Sequence, residues 1–184
     1  MSALTIYPDD QPQSGEQYTD FTAIQKQLAN IGVQFERWTS GYELATDADQ
    51  ATVLNAYADS IERLKQQYHF QSVDMIKLNP DHPDKAVFRQ KFLAEHIHED
   101  FEVRFFVEGR GLFCLHVDDK VYLVLCEQGD LISVPANTKH WFDMGENPKF
   151  NCIRLFTTPD GWVANFTGSD GCDFRCFPNL GCDY

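Results

Sequence analysis

The stretch Glu95-His96-Ile97-His98-Glu99-Asp100-Phe101-Glu102-Val103-Arg104 packs two histidines, four carboxylates and an arginine into ten residues. Side chains of an extended chain alternate between faces, so His96 and His98 point the same way. Glu102 and Arg104 share that face if the extended geometry carries through a small loop. Two imidazoles and a carboxylate on one face are the smallest set that holds a divalent first-row metal while leaving positions open. A carboxylate disfavours copper(I), and imidazoles disfavour magnesium and calcium, so iron, nickel, manganese and zinc remain. Arg104 then lies beside the metal, where a fixed cation favours the deprotonated form of an acidic substrate. The plainer role for Arg104 is an ion pair with Glu102 or Glu108. Glu95 and Glu99, flanking the histidines, read as solvated surface charges. His116 alternates with Leu112 and Cys114 and reads as a satisfied core histidine rather than a fifth ligand. His69 and His82 carry no functional assignment.

Two kinds of element must position these residues. The first third reads as helical. Asp20 suits an N-cap for a helix from Phe21 to Ile31, stopped by Gly32. Val53, Leu54, Tyr57, Ile61 and Leu64 repeat at helical spacing and predict a second helix from about Asp47 to Tyr68. A short third helix follows the Asn79–Pro83 loop, from Asp84 to Leu93. The period then shortens. Val103 to Val107, Leu112 to Val117, Val121 to Cys126, Leu131 to Val134, Trp141 to Met144 and Cys152 to Thr157 form short β-rich runs bounded by turns, with a hairpin signal at Asp118-Asp119. Many short strands at this spacing predict a mainly β sandwich or barrel. Val103, Phe105 and Val107 make the second face of their strand apolar too, so the N-terminal helices are expected to cover the sheet from outside. Phe106 and Phe142 share parity with Arg104 and His140 and either line the pocket or belong to the core. The 184 residues predict one domain. Its helical part spans about 19–93, its barrel about 94–168, and an irregular Cys-rich tail 169–184.

Composition narrows the function. A formal net charge of -13 opposes binding to nucleic acid or to an anionic membrane. The longest apolar runs are far too short to span a bilayer, and the first residues lack a leader's basic and apolar regions. A cytoplasmic monomer is the expectation. Cys114, Cys126 and Cys152 sit in apolar runs as small buried hydrophobes. Cys172, Cys176 and Cys182 crowd the tail without a CxxC pair or an evident fourth zinc ligand.

The spacing extends beyond the first cluster. His96-x-His98, three residues, Glu102, six residues and Gly109 are followed by Gly129, five residues and Pro135-Ala136-Asn137-Thr138-Lys139-His140. These two segments resemble the metal motifs of the cupin superfamily. Asn137 stands where that pattern has Gly, and Asn also tolerates the left-handed conformation of such a turn. Met144 stands where it has Asn. The runs EVRFFVEGRGLFCLHV, DLISVPANTKHWFDMG, GVQFERW and PDGWVANFTG narrow the resemblance to the bacterial-type acireductone dioxygenase family, over roughly Thr19 to Gly168.

That resemblance implies a cupin (jelly-roll, double-stranded β-helix) barrel with N-terminal helices packed on it. It also implies one Fe(2+) or Ni(2+) per chain on His96, His98, Glu102 and His140. The family's substrate is 1,2-dihydroxy-3-keto-5-methylthiopentene, cleaved with dioxygen in methionine salvage. Iron forms give formate and 4-methylthio-2-oxobutanoate; nickel forms give formate, carbon monoxide and 3-methylthiopropanoate. Arg104 is implied as the catalytic group that promotes the substrate dianion. Two other readings stand beside this one: a cupin of different chemistry, such as an epimerase or another dioxygenase, and a non-catalytic metal-binding cupin.

Overall fold

The structure is a computed structural model, which describes residues 1–39, 43–45 and 47–168. The Cys172, Cys176 and Cys182 tail lies outside the described residues. In the N-terminal part, β1 (Ala3–Pro8) and β2 (Glu16–Tyr18) precede helix α1 (Phe21–Ala29) and β3 (Gln34–Arg37). Helices α2 (Gln50–Ala56) and α3 (Ala58–Tyr68) lead to β4 (Ser72–Leu78) and α4 (Lys85–Leu93). The β-rich part continues with β5 (His96–Ile97), β6 (Glu102–Val117), β7 (Lys120–Glu127), β8 (Asp130–Val134), β9 (Lys139–Asp143), β10 (Phe150–Phe156) and β11 (Asn165–Phe166).

Every ladder is antiparallel, and β6 belongs to two of the layers at once. One runs β11-β5-β9-β6-β7-β1-β2; the other joins β4, β10, β6, β8 and β3. This is the mainly β cupin arrangement expected from the motifs. The strand turns between layers at a bulge: Cys152 pairs with Phe106 but Asn151 with Glu108, leaving Val107 as the extra residue. Gly109 follows at φ +77, and a Cβ there would meet the Lys149 carbonyl oxygen, so only glycine fits.

The bulge reverses which residues face inward. Before it the even positions Glu102, Arg104 and Phe106 point between the layers; after it Phe113 and Leu115 do. The inner core gathers Phe106, Phe113, Leu115, Phe142, Phe150 and Cys152, with Leu4, Ile24 and Leu28 joining it. On the opposite face of β6, Val103, Phe105 and Val107 pack against Val53, Tyr57, Ile61 and Leu64 of α2 and α3. The helices therefore cover the sheet as the two apolar faces predicted. Leu112 and Cys114 form a third cluster with Tyr7 and Trp141.

Local signals explain the helix boundaries. The carboxylates of Asp20 and Asp49 accept from the backbone N–H of Ala23 and Thr52, capping α1 and α2. The single helix expected from Asp47 to Tyr68 is two helices, broken at Tyr57, whose ring packs edge-on against Phe105 at 4.6 Å. The first third is also less helical than its periodicity suggests, because β1 to β4 lie among the helices. Among the described residues no helix is long and apolar enough to cross a membrane.

Candidate metal centre

Three short pieces of backbone bring three imidazoles together. His96 is on β5, His98 follows in the loop to β6, and His140 is on β9, directly opposite His96 in the ladder. One ligand atom from each of the three lies within 4.8 Å of the other two, and all three residues are buried. Ring centroids stand 4.4 Å apart for His96 and His140, 5.0 Å for His96 and His98, and 5.2 Å for His98 and His140. The turn before β9 is the one where Asn replaces Gly, and Asn137 adopts φ 62, the left-handed conformation expected of it.

Each ring is aimed by its own Nδ1. His96 bonds to the Ala94 carbonyl at 2.7 Å, His140 to the Thr138 carbonyl at 2.8 Å, and His98 to the Val163 carbonyl at 2.8 Å. A carbonyl can only accept, so each Nδ1 carries a proton, and a neutral ring then holds its lone pair on Nε2. In His140 that Nε2 is buried and has no hydrogen-bond partner among the described residues. Burial lowers the pKa of His96 and lowers that of His140 to about 4, which keeps both rings neutral at physiological pH. Neutral imidazoles with oriented, unspent lone pairs are the donor set a divalent cation requires.

Glu102 stands one step back from this cluster. Its Oε2 is 3.6 Å from His98 Nε2, and its Oε1 accepts from Arg104 Nε at 2.5 Å. Burial alone would raise its pKa, but Arg104, His98 and His140 outweigh burial and hold it at about 2. The carboxylate is therefore charged, as a ligand must be. Arg104 makes the plain ion pair that its spacing allowed, yet its Nη1 is buried without a partner among the described residues. Around that guanidinium stand the rings of Phe142 at 5.1 Å, Phe113 at 5.6 Å and Phe92 at 5.7 Å.

These groups open onto a cavity of about 350 Å³. Phe142 lines it, whereas Phe106 is core. Several wall residues carried no sequence signal: Ile76 from β4, Phe88, Lys91 and Phe92 from α4, Phe113 from β6 and Arg154 from β10. Trp162, Val163, Ala164 and Phe166 complete the wall and come from a segment held to the histidine loop. Side-chain hydrogen bonds fasten it, beside its ladder pairing with β5. Val163 accepts from His98, Thr167 Oγ1 donates to Glu95 Oε1 at 2.7 Å, and Asp100 Oδ2 accepts from the Thr157 and Thr158 amides at 2.7 and 3.2 Å.

Two expectations are corrected here. Glu95 is not a solvated charge: it is 1% exposed and bonded to Thr167, with His116 Nδ1 3.3 Å from its other oxygen. His116 is satisfied but does not face the inner core, because the bulge in β6 turns its parity outward, toward Glu95 and Asp9. Glu99 is exposed, as expected.

Comparison with known proteins agrees with this architecture. The ARD/ARD′ family model matches residues 3–164. This chain belongs to that family. An acireductone dioxygenase of Methylococcus capsulatus is 60% identical over 170 residues, covering 92% of this chain and 91% of the relative. One from Aquifex aeolicus is 56% identical over 173 residues, with 92% of each chain covered. The solved acireductone dioxygenase of Bacillus anthracis, with a cadmium ion in its active centre, superposes with a TM-score of 0.79 at 28% identity. That match covers 90% of this chain and 98% of the other. The ARD/ARD′ chain described here is thus an enzyme of the dioxygenase class.

Proposed function

We propose that this chain cleaves an acireductone, 1,2-dihydroxy-3-keto-5-methylthiopentene, with dioxygen in methionine salvage, using one Fe(2+) or Ni(2+) held by His96, His98, His140 and Glu102. The observation that carries the reading is the set of three imidazoles whose Nδ1 protons are spent on carbonyls while their other ring nitrogens converge. Glu102 adds the charged oxygen ligand, and its second oxygen stays with Arg104. Bound there, the ion supplies Lewis acidity and a template for two neighbouring substrate oxygens.

The remaining steps belong to the protein. The unpartnered Nη1 of Arg104 offers a donor to an enediolate oxygen, favouring loss of the substrate's second proton. Phe92, Phe113 and Phe142 exclude water around that contact, which strengthens it. The apolar walls, with Ile76 and Phe88 among them, suit a methylthioalkyl chain. Residues from the N-terminal part and from the barrel share one cavity, so we read the chain as a single domain, acting as a monomer. Both metals use the same ligands, and the metal loaded decides between the oxo acid with formate and the shorter acid with formate and carbon monoxide.

The test is metal analysis followed by oxygen uptake. Purified protein is expected to hold about one iron or nickel per chain. His98→Ala and His140→Ala are expected to lose it, and the iron and nickel forms to consume oxygen with acireductone. Full metal retention in the variants sinks the ligand assignment. No oxygen uptake by either form sinks the function.

A further inference from the structure

Among the described residues three cations line the cavity, and two of them are committed. Arg104 is paired with Glu102. Arg154 is held by Asp74 through Nε at 2.8 Å and Nη2 at 2.7 Å. Lys91, exposed in the last turn of α4, forms no hydrogen bond or ion pair with any described residue. It follows Phe88 by three positions, which puts the two on one side of the helix, and both line the cavity. The helix itself is fixed: Arg89 grips Asp143 through Nε at 2.8 Å and Nη2 at 3.1 Å, and Lys85 donates to Asn147 at 3.1 Å. Lys91 is thus a charge without a partner among the described residues, on a fixed wall.

The rest of the protein repels anions, since the chain carries a formal net charge of -13. An enediol conjugated to a ketone is acidic enough to arrive as an anion at neutral pH. Such a substrate needs a local attractive charge at the cavity. We propose that Lys91 is a positioning residue that draws small organic monoanions of the enediolate class into the cavity and holds them on the way to Arg104. This rests on the acireductone reading given above.

A structural role for Lys91 is the competing account, because a cation in a helix's last turn favours the macrodipole. Kinetics separates the two. In the iron-loaded enzyme, Lys91→Gln is expected to lower kcat/KM on the order of fivefold at low salt, mainly through KM, and Lys91→Glu to lower it further. Lys91→Arg restores it. The differences close at about 1 M salt, where the Debye length is about 3 Å. A loss from helix destabilisation would appear in melting temperature and in kcat, without that salt dependence.

A second arm does not depend on turnover. Ascorbate, a stable enediol monoanion, is titrated calorimetrically into zinc-loaded protein. It is expected to bind the parent protein more tightly than Lys91→Glu, with the difference lost at high salt. No ascorbate binding by the parent, equal affinity in Lys91→Glu, or a salt-independent kinetic effect overturns the proposal. Salt-dependent, Lys91-dependent ascorbate binding without oxygen uptake on acireductone supports Lys91 and defeats the acireductone reading.

Discussion

Arg104 Nε donates to Glu102 Oε1 at 2.5 Å from two residues further along the same strand, while its Nη1 stays buried and unpartnered. One guanidinium thus fixes a candidate ligand and presents a spare donor to the cavity.

Arg104→Ala is expected to leave Glu102 as an unpaired buried charge and to cost about 3–5 kcal/mol of stability. Arg104→Lys keeps the charge but not the fork. In that variant, turnover is expected to fall on the order of 100-fold while metal content stays near one per chain. Stopped-flow oxygen consumption beside metal analysis measures both. Undiminished turnover would remove Arg104 from the mechanism.

The metal-free protein should weaken in acid. His140 has a folded pKa of about 4 against 6.5, chiefly through burial, so the unfolded chain binds more protons between those values. Its contribution is fully present above pH 6.5 and is lost as pH falls toward 4. Glu102, at about 2 against 4.5, adds a loss that begins below 4.5. Thermal melts of metal-free protein from pH 8 to pH 4 are expected to show a plateau, then a fall worth a few kcal/mol. A melting temperature unchanged between pH 7 and pH 5 would contradict this assignment.

Asp100 holds the segment that carries Trp162, with its carboxylate accepting from the amides of Phe101, Thr157 and Thr158. Asp100→Asn turns one acceptor into a donor facing N–H groups and is expected to cost about 1–3 kcal/mol. The same variant should raise KM, because Trp162, Val163 and Phe166 wall the cavity. Gly161→Ala should do likewise, since a Cβ there would lie 2.3 Å from Asp100 Oδ2. Unaltered KM in both variants would show that the fastening has no role in binding.

Phe105 probes the opposite face of the same strand. It is fully buried, with Trp38 stacked at 4.7 Å and Tyr57 edge-on at 4.6 Å. Phe105→Ala is expected to destabilise the fold by about 3–5 kcal/mol in denaturant titrations. Metal content below the transition should be unchanged. Metal loss in the folded variant would mean that the helical layer supports the centre directly.

The spacing of the candidate metal centre was legible because it depends on short segments: His96 with His98, Glu102 with Arg104, and the Pro135–His140 turn with its left-handed Asn137. Apolar residues on both faces of β6 likewise foretold the covering helices. What escaped depends on chain that is far away. β1 is a strand because it pairs with β7, Leu4 opposite Val124, and nothing within Ala3–Pro8 states that partner. His116 was placed by unbroken alternation, and one extra residue at Val107 reversed its face. Glu95 opens an acidic stretch that reads as solvated in sequence, yet Thr167 and His116 enclose it. The cavity walls join β4, α4, β10 and the Trp162 segment, a convergence that periodicity does not record.

The three Nδ1 bonds also bear on how such a centre survives mutational drift. All three acceptors are main-chain oxygens, so no side-chain replacement can delete an acceptor itself. For His96 and His140 the acceptor is two residues earlier, and the ligand's orientation is inherited with the local backbone trace. His98 borrows its acceptor from Val163, 65 residues away. Insertions or deletions between β10 and β11 therefore fall hardest on one ligand of the three, and a lineage that remodels this segment must first re-aim His98.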